Sequence, residues 1–274
     1  MPDLATLLPM AALLLVIGAF AGVLAGLLGV GGGIVLVPAF FYAFGALGYD
    51  SAVLMQVCLA TSLATIVFTS LRSVQSHHAK GAVDWEILRR WAPGIAIGAA
   101  LGMVAATGLR SVTLQVIFGV LGILVGLYMA LGRADWRLGP AMPSGVGRAA
   151  SAPVLGFMSV LMGIGGGSFG VPFMSLYGVV IHRAVATAAG FGVIIAVPSV
   201  LGFLIARPGA EGLPPWTVGY VNLPAFGLII AMTLITAPWG AALAHRMDAK
   251  PLKRAFAVFL MLVAINMLRQ AWAV

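Results

Sequence analysis

Two glycine-rich stretches in apolar surroundings are the features of this sequence best suited to binding chemistry. They read LLGVGGGIVLVP over residues 27–38 and LMGIGGGSFGVP over residues 161–172. Three adjacent glycines interrupt a helix, since each costs roughly 1 kcal/mol relative to alanine in a helix interior. A helix that begins after each break, near Ile34 and Ser168, presents free backbone N–H groups and a partial positive charge. Such helix starts bind anions without a buried lysine or arginine.

We therefore predict an anion-binding site that joins both breaks with polar side chains of two further apolar segments. Its predicted residues are Gly31, Gly32, Gly33, Gly165, Gly166, Gly167, Ser168, Gln56, Thr61, Ser62 and Thr187. Two other interpretations stay open: the glycines serve close helix packing, and the hydroxyls bond to the preceding helical turn. Thr187 also lies only a few residues into its segment, so its depth in the membrane need not match that of Thr61.

Other chemistry finds little support in the sequence. All acidic residues lie in predicted loops or at helix ends, namely Asp3, Asp50, Asp84, Glu86, Asp135, Glu211 and Asp248. Proton relays and cation pumps usually carry carboxylates inside the membrane, so these segments suit an anion better. The one cysteine, Cys58, has no histidine on its own segment with which to form a nucleophile–base pair. We predict no catalytic residues, no metal site and no cofactor, with an intramembrane enzyme or scaffold as the remote alternative.

The composition of the chain places these residues in a membrane. The 274 residues are 62% hydrophobic and 8% charged, whereas a soluble domain carries about a quarter charged residues. Long, uniform apolar stretches indicate an all-α integral membrane protein rather than a barrel of short alternating strands. The N-terminus lacks the basic region of a cleaved signal peptide, so residues 4–28 are interpreted as a retained helix.

The apolar pattern predicts about ten transmembrane segments. We place them at 5–28, 34–46, 52–73, 86–107, 112–132, 149–164, 168–180, 184–206, 220–244 and 252–272. The second and the seventh are too short to cross a hydrocarbon core of about 30 Å. Together with their predecessors they are predicted to form two broken or re-entrant helical hairpins.

The two halves of the chain repeat each other. The residues Gly22, Gly29, Gly31, Gly32, Gly33, Val37 and Pro38 recur in order as Gly156, Gly163, Gly165, Gly166, Gly167, Val171 and Pro172. We predict a first five-segment repeat at 1–132, a cytoplasmic linker at 133–148 and a second repeat at 149–274. The second copy is inverted, because each copy holds an odd number of segments.

Shorter matches place the polar residues in equivalent positions of the two repeats. Ala60-Thr61-Ser62 matches Ala186-Thr187-Ala188, and Asp84 matches Asn222. Asp84 and Asn222 are predicted to cap the helices that follow them.

Basic residues predict the orientation in the membrane. Twelve fall on one side of the predicted segments: Arg72, Lys80, Arg89, Arg90, Arg133, Arg137, Arg148, Arg183, Arg246, Lys250, Lys253 and Arg254. Only Arg110, Arg207 and Arg269 fall on the other side. The positive-inside rule makes the first side cytoplasmic and puts both termini outside. This topology explains the net charge of +8 without a nucleic-acid partner.

The paired G-x-G-G-G…P stretches, the Ala-Thr-Ser and Ala-Thr-Ala positions and the Gly-x-Val-Asp/Asn segments resemble the TauE/SafE sulfite exporter family. The resemblance runs from Gly22 to Met267. It implies secondary transport of sulfur-containing anions, including sulfite and organosulfonates such as sulfoacetate or taurine-related compounds. Ala188 replaces the hydroxyl of Ser62 in the second repeat, so the site is expected to be asymmetric.

The sequence thus predicts a multi-pass secondary transporter of the cytoplasmic (inner) membrane that exports sulfite or an organosulfonate. Its predicted partners are this anion and the lipid bilayer. Import of another anion, such as sulfate, thiosulfate or a carboxylate, stays open at this stage, as do proton coupling and the oligomeric state. Export needs no coupled ion, since a monovalent anion leaving a negative interior gains about 2.3 kcal/mol per 100 mV.

Overall fold

The computed structural model of the protein describes residues 4–28, 33–133, 136–244 and 249–272. These residues form ten helices and one two-stranded antiparallel ribbon. Their order is α1 Leu4–Leu28, α2 Gly33–Ala46, α3 Leu54–Ala79, α4 Trp85–Gly108, α5 Ser111–Leu131, α6 Gly145–Leu161, α7 Gly167–Leu176, α8 Ile181–Ile205, β1 Thr217–Val218, β2 Val221–Asn222, α9 Leu223–Ala244 and α10 Ala249–Trp272. The predicted all-α membrane fold is confirmed.

Several of these helices could cross a membrane. In the described part of the chain, α3, α4, α5 and α8 are long and apolar enough to do so, and further apolar helical stretches accompany them. The helices α2 and α7 have only 14 and 10 residues. At 1.5 Å per residue, α7 spans about 15 Å, which is half of a typical hydrocarbon core.

Several helix boundaries differ from the prediction by three to six residues. Helix α3 continues beyond 73 to Ala79, because Gly81, with a φ of 66°, supplies the left-handed residue that ends the helix. Helix α6 already begins at Gly145, within the predicted linker. The predicted helix start at 220 is occupied by the ribbon, so α9 begins at Leu223, directly after Asn222.

Helix α3 occupies the centre of the bundle. Every residue from Leu54 to Ile66 is buried, on all faces of the helix, as expected of a helix surrounded by protein. Helix α3 packs against α8, α1 against α9, α4 against α6 and α5 against α10. The same four pairs result when each helix is exchanged for its counterpart in the other set of five, that is α1 for α6, α2 for α7 and so on.

Contacts between helix termini define two ends of the bundle. At one end, Arg183 at the start of α8 pairs with Asp84 before α4 at 3.4 Å. We call it the basic end, because the described residues Lys80, Arg89, Arg90, Arg133, Arg137, Arg148 and Arg183 lie there. At the other end, the Met55 N–H donates to Ser111 Oγ at 3.0 Å and joins the start of α3 to the start of α5. We call this the opposite end.

Backbone-to-backbone contact between α4 and α6 fixes the distance between these helices. A Cβ atom on Gly98 would overlap the carbonyl group of Pro153, and one on Gly156 would overlap the carbonyl oxygen of Ile95. Small residues permit this approach, which is a common way of packing helices in membranes. Gly22, the repeat equivalent of Gly156, also lies close to α9: a Cβ there would overlap Thr236 Oγ1 and would lie 2.9 Å from the Cα of Thr233.

The Gly98→Ala substitution is expected to lower the melting temperature of the purified protein in detergent. Its methyl group meets backbone atoms, which rotation of a side chain cannot remove, and overpacking of this kind costs about 1–3 kcal/mol. Gly108→Ala is the matched control, because nothing lies within 4 Å of a Cβ at this position of the same helix. Equal melting temperatures for both variants would contradict the close crossing of α4 and α6.

Candidate functional site

The break between α6 and α7 is a tight, fully hydrogen-bonded helix end. Gly163 has a φ of 61°. Its N–H donates to the carbonyl of Val160 at 2.8 Å, and the N–H of Ile164 donates to that of Ser159 at 2.9 Å. This is the Schellman pattern, in which a left-handed glycine ends a helix and satisfies its last carbonyls. The helical chain therefore stops after Leu161 and resumes only at Gly167.

The break lies at the centre of the bundle, and all residues from 159 to 168 are buried. A Cβ on Gly163 would lie 3.0 Å from the Cα of Leu59 in α3, and one on Gly166 would lie 2.5 Å from the carbonyl oxygen of Ala188 in α8. The first residue of α2 is equally close, since a Cβ on Gly33 would lie 3.1 Å from the carbonyl oxygen of Gly163. The structure thus brings Gly33 together with the second glycine stretch.

Predicted site residues of the first stretch are only partly covered by the structure. Gly33 is the first residue of α2. Gly31 and Gly32 lie outside the described residues.

The start of α7 offers hydrogen-bond donors at this break. Its N-cap residue is Gly166, so no capping side chain covers the N–H groups of the first turn. Ser168 follows in that turn with only 5% of its surface exposed, and its Oγ has no hydrogen-bond partner. Free N–H groups, the positive end of the helix dipole and an unused hydroxyl together form a cradle for a negative charge.

Ser62 connects α3 to the same break. Its Oγ donates to the carbonyl oxygen of Gly163 at 2.7 Å. The single hydroxyl proton is therefore engaged, and Ser62 shapes the break through this bond. The equivalent residue Ala188 has no hydroxyl, so the two halves differ at this contact, as the sequence suggested.

Ser62→Ala is expected to lower stability by about 1–2 kcal/mol, because the buried Gly163 carbonyl loses its partner. We expect flux of the transported anion to fall several-fold, since the position of the break depends on this bond. Ser199→Ala is the control: its buried Oγ donates only to Ile195 within α8, at 2.7 Å. Equal melting temperatures and equal flux for the two variants would contradict the role of the Ser62 hydrogen bond in holding the break.

The other predicted polar residues lie apart from the break. The Gln56 Nε2 donates to the carbonyl oxygen of Leu109 at 2.6 Å, near the opposite end, while its buried Oε1 has no partner. Thr61 Oγ1 accepts from the backbone N–H of Asn222, and Thr187 Oγ1 accepts from that of Asp84. These hydroxyl oxygens bind backbone groups of the other half of the chain.

Sequence reasoning missed Ser70 as a neighbour of the break. Only 5% of it is exposed, and its Oγ lies 3.8 Å from where a Cβ on Gly165 would be. The signal was present: Ser62, Ile66 and Ser70 are spaced by four residues, so they share one face of α3. Ile66 on this face also lies beside Gly165: a Cβ on this glycine would be 3.2 Å from Ile66 Cγ2.

The electrostatic surroundings of the site are neutral. Among the described residues, the buried polar side chains are those of serine, threonine, glutamine and asparagine, and no charged side chain is buried. In the same part of the chain, no group of three or more His, Cys, Asp or Glu could hold a metal ion. A bound anion would therefore meet dipoles and hydroxyls, with no carboxylate to repel it.

A cavity of about 350 Å³ opens at the basic end of the bundle. It lies where the start of α4 meets the segment before α6 and the end of α7, and Arg90, Trp91, Arg148 and Tyr177 are among its lining residues. The ring of Phe173 in α7 lies 5.3 Å from that of Trp91 and 5.0 Å from that of Tyr177, so the end of α7 packs against two of the lining residues. The cavity and the break therefore lie at the two ends of the same short helix.

Comparison with known proteins decides the family. The model of the family described as sulfite exporter TauE/SafE matches residues 14–267. The chain belongs to this family. The matched range includes both glycine stretches and all the candidate residues named above, so the TauE/SafE resemblance seen in the sequence is confirmed.

Relatives of this TauE/SafE protein match over most of their length. A probable membrane transporter protein of Haemophilus influenzae is 33% identical, covering 93% of this chain and 97% of the relative. Probable membrane transporter proteins of Methanocaldococcus jannaschii and Bacillus subtilis are 27% and 28% identical, covering 81% and 93% of this chain and 82% and 96% of the relatives. No solved structure matches it. The protein is a multi-pass membrane transporter of the TauE/SafE family and not an enzyme.

Proposed function

We propose that this transporter exports sulfite or a small organosulfonate from the cytoplasm, with its binding site at the break between α6 and α7. The observation that carries the proposal is the uncapped start of α7 with its buried, unpartnered Ser168 Oγ. A sulfur oxyanion has a compact negative charge and several acceptor oxygens, which match a helix N-terminus and a hydroxyl donor. The description of the family as sulfite exporters supports this substrate class.

The site holds its anion without a permanent positive charge. A buried arginine or lysine would bind tightly but would hinder release, whereas dipoles and neutral hydroxyls give the moderate affinity that a transporter needs. Glycine at positions 165 and 166 lets α3 and α8 pack closely against the break, because a Cβ on Gly165 would lie 3.2 Å from Ile66 and one on Gly166 would overlap Phe191. The absence of buried carboxylates among the described residues favours an anion over a cation or a proton relay.

Transport proceeds by movement of one half of the protein against the other. The halves, 1–132 and 149–274, form an inverted repeat joined by a cytoplasmic linker at 133–148, and the reciprocal helix pairs around α3 and α8 support this symmetry. Inverted repeats place the substrate site near the midplane and expose it to each side in turn.

The protein lies in the inner membrane. Its basic end faces the cytoplasm, and both termini are outside. The cavity lined by Arg90 and Arg148 then receives anions from the cytoplasm. Glu86 also lines it and pairs with Arg90 at 2.9 Å, so Arg148 supplies the positive charge that attracts them. Export down the membrane potential, about 2.3 kcal/mol per 100 mV for one charge, drives the cycle. Because sulfite titrates near neutral pH, a proton could be coupled to transport by crossing the membrane bound to the substrate itself.

Flux measurements in proteoliposomes test the proposal. Purified protein is reconstituted, and the flux of labelled sulfite is measured against empty liposomes, with sulfonates, sulfate, thiosulfate and carboxylates as competitors. We expect saturable sulfite flux that sulfonates inhibit and carboxylates do not. Flux of another anion without sulfite flux would contradict the proposed cargo, and the absence of any anion flux would contradict the anion site.

A further inference from the structure

Two threonines of the central helices make the same hydrogen bond at opposite ends of the bundle. The N–H of Asn222, before α9, donates to Thr61 Oγ1 of α3 at 3.0 Å. The N–H of Asp84, before α4, donates to Thr187 Oγ1 of α8 at 2.9 Å. Each threonine lies in one half of the chain and its partner in the other. Both threonines have no exposed surface.

The partner groups explain why these threonines are needed. Asp84 Oδ1 accepts from the Ile87 N–H at 3.1 Å, and Asn222 Oδ1 accepts from the Ala225 N–H at 3.0 Å, so both residues cap their helices as predicted. In a capping box, the N3 side chain would bind the N–H of the cap residue itself. Here the N3 residues are Ile87 and Ala225, which have no polar side chain. A threonine of the other half takes this role in both places.

We propose that Thr61 and Thr187 are positioning residues that serve as two latches between the halves, one at each end of the transport path. The opposite-end latch joins Thr61 to Asn222, and the basic-end latch joins Thr187 to Asp84. Both hydrogen bonds are formed in this structure, and the residues of the break are buried. The inference rests on the proposed function in one respect, namely that the halves move against each other.

The latches explain how such a movement stays ordered. Rocking one half against the other separates inter-half contacts at one end while it preserves those at the other end. The two bonds lie at opposite ends, so each open state breaks one latch and keeps the other. Opening at both ends would break both bonds at once and lose the stabilisation that each contributes, so this state is the least populated.

The two latches differ in what braces them. Beside the basic-end latch, Asp84 Oδ2 pairs with Arg183 of α8 at 3.4 Å. Beside the opposite-end latch, Asn222 Nδ2 donates to the carbonyl oxygen of Pro215 at 2.9 Å and to Thr217 Oγ1 at 3.1 Å. An ion pair between the halves therefore braces the basic-end latch, whereas the hydrogen bonds of Asn222 Nδ2 to the ribbon segment support the opposite-end latch from within its own half.

The chain offers a symmetric pair of reporter positions for a test. Cys58 is buried in α3, three residues before Thr61 and on the side of the opposite end. Ala184 is buried in α8, three residues before Thr187 and on the side of the basic end. The native thiol reports opening of the opposite end, and the thiol of a Cys58→Ala/Ala184→Cys variant reports opening of the basic end. Labelling with a membrane-impermeant maleimide from the appropriate side gives the rate at each position.

Thr61→Val removes the acceptor oxygen with almost no change in shape, and so does Thr187→Val. We expect Thr61→Val to raise labelling of Cys58 about three- to tenfold and to leave the Ala184→Cys thiol unchanged or less reactive, because losing one bond shifts the population toward one open state. Thr187→Val is expected to do the reverse. Thr61→Ser and Thr187→Ser keep the hydroxyl and are expected to label as the parent does.

Controls separate the latch from general loosening. Thr65→Val and Ser199→Ala remove hydroxyls that donate only within α3 and α8, and we expect parental labelling from both. If the valine variants aggregate, Thr61→Ala and Thr187→Ala take their place. Increased labelling at both ends, or labelling no different from the controls, overturns the proposal. The labelling needs no substrate, so opposite shifts support the latches even where no anion flux is found.

Discussion

Gly166→Ala is expected to abolish anion flux. A Cβ at this position would overlap the Cβ of Phe191 and would lie 2.5 Å from the carbonyl oxygen of Ala188 and 2.9 Å from the backbone nitrogen of Gly192. All three atoms belong to the fixed part of α8, so no rotamer change relieves the contact. Either α7 or α8 must shift, and a displacement of about 1 Å at a binding site already costs on the order of 100-fold in activity. Proteoliposome flux, normalised to the protein that elutes as a single species, measures the effect.

Gly45→Ala is the matched control for this substitution. Gly45 is the last residue but one of α2, and nothing lies within 4 Å of a Cβ there. Alanine is a better helix former than glycine, so we expect parental flux and equal or slightly higher stability. Parental flux from Gly166→Ala would refute the requirement for close contact between the break and α8.

The sequence predicted that a helix breaks near residues 161–172, but not at which glycine. Five glycines lie there, and each can adopt the left-handed conformation that ends a helix. The structure selects Gly163, whose carbonyl accepts from Ser62 of α3 and which packs against Leu59. These partners lie about one hundred residues away along the chain. The exact end of α6 is thus set by tertiary contacts, which local propensity does not contain.

Capping was predictable from residue type and position, because it is a local interaction. Asp84 and Asn222 each cap the third residue of the following helix. The ribbon before α9 was missed, since two residues per strand leave no periodic pattern to detect. Trp216 adopts a φ of 57° in this segment, which sequence rules disfavour for an aromatic residue.

The partners of polar side chains were the least predictable part of the candidate site. Thr61 and Ser62 are adjacent in sequence, yet their hydroxyls bond to Asn222 and to Gly163 respectively. Neighbours on a helix point about 100° apart, so adjacent hydroxyls serve different surroundings. Ser62 lies at the break and Thr61 at a helix cap of the other half. The assignment of these residues to substrate binding stays a prediction.

Ser168→Ala separates binding from folding most directly. The buried Ser168 Oγ has no hydrogen-bond partner within the protein, so its removal breaks no internal hydrogen bond, and we expect an unchanged or slightly higher melting temperature. If the hydroxyl donates to the anion, its loss costs about 1.5–3 kcal/mol, the usual strength of a hydrogen bond to a charged group. The KM for sulfite is then expected to rise about 10- to 100-fold.

Ser175→Ala is the control that the chain itself supplies. Ser175 lies in the last turn of the same helix, and its buried Oγ also has no partner. The two serines thus match in helix, chemistry and burial of the hydroxyl, and differ in which end of the α7 dipole they occupy. Only the N-terminal end attracts an anion, so we expect a parental KM from Ser175→Ala. An equal rise in KM from both variants would mean that the start of α7 holds no anion.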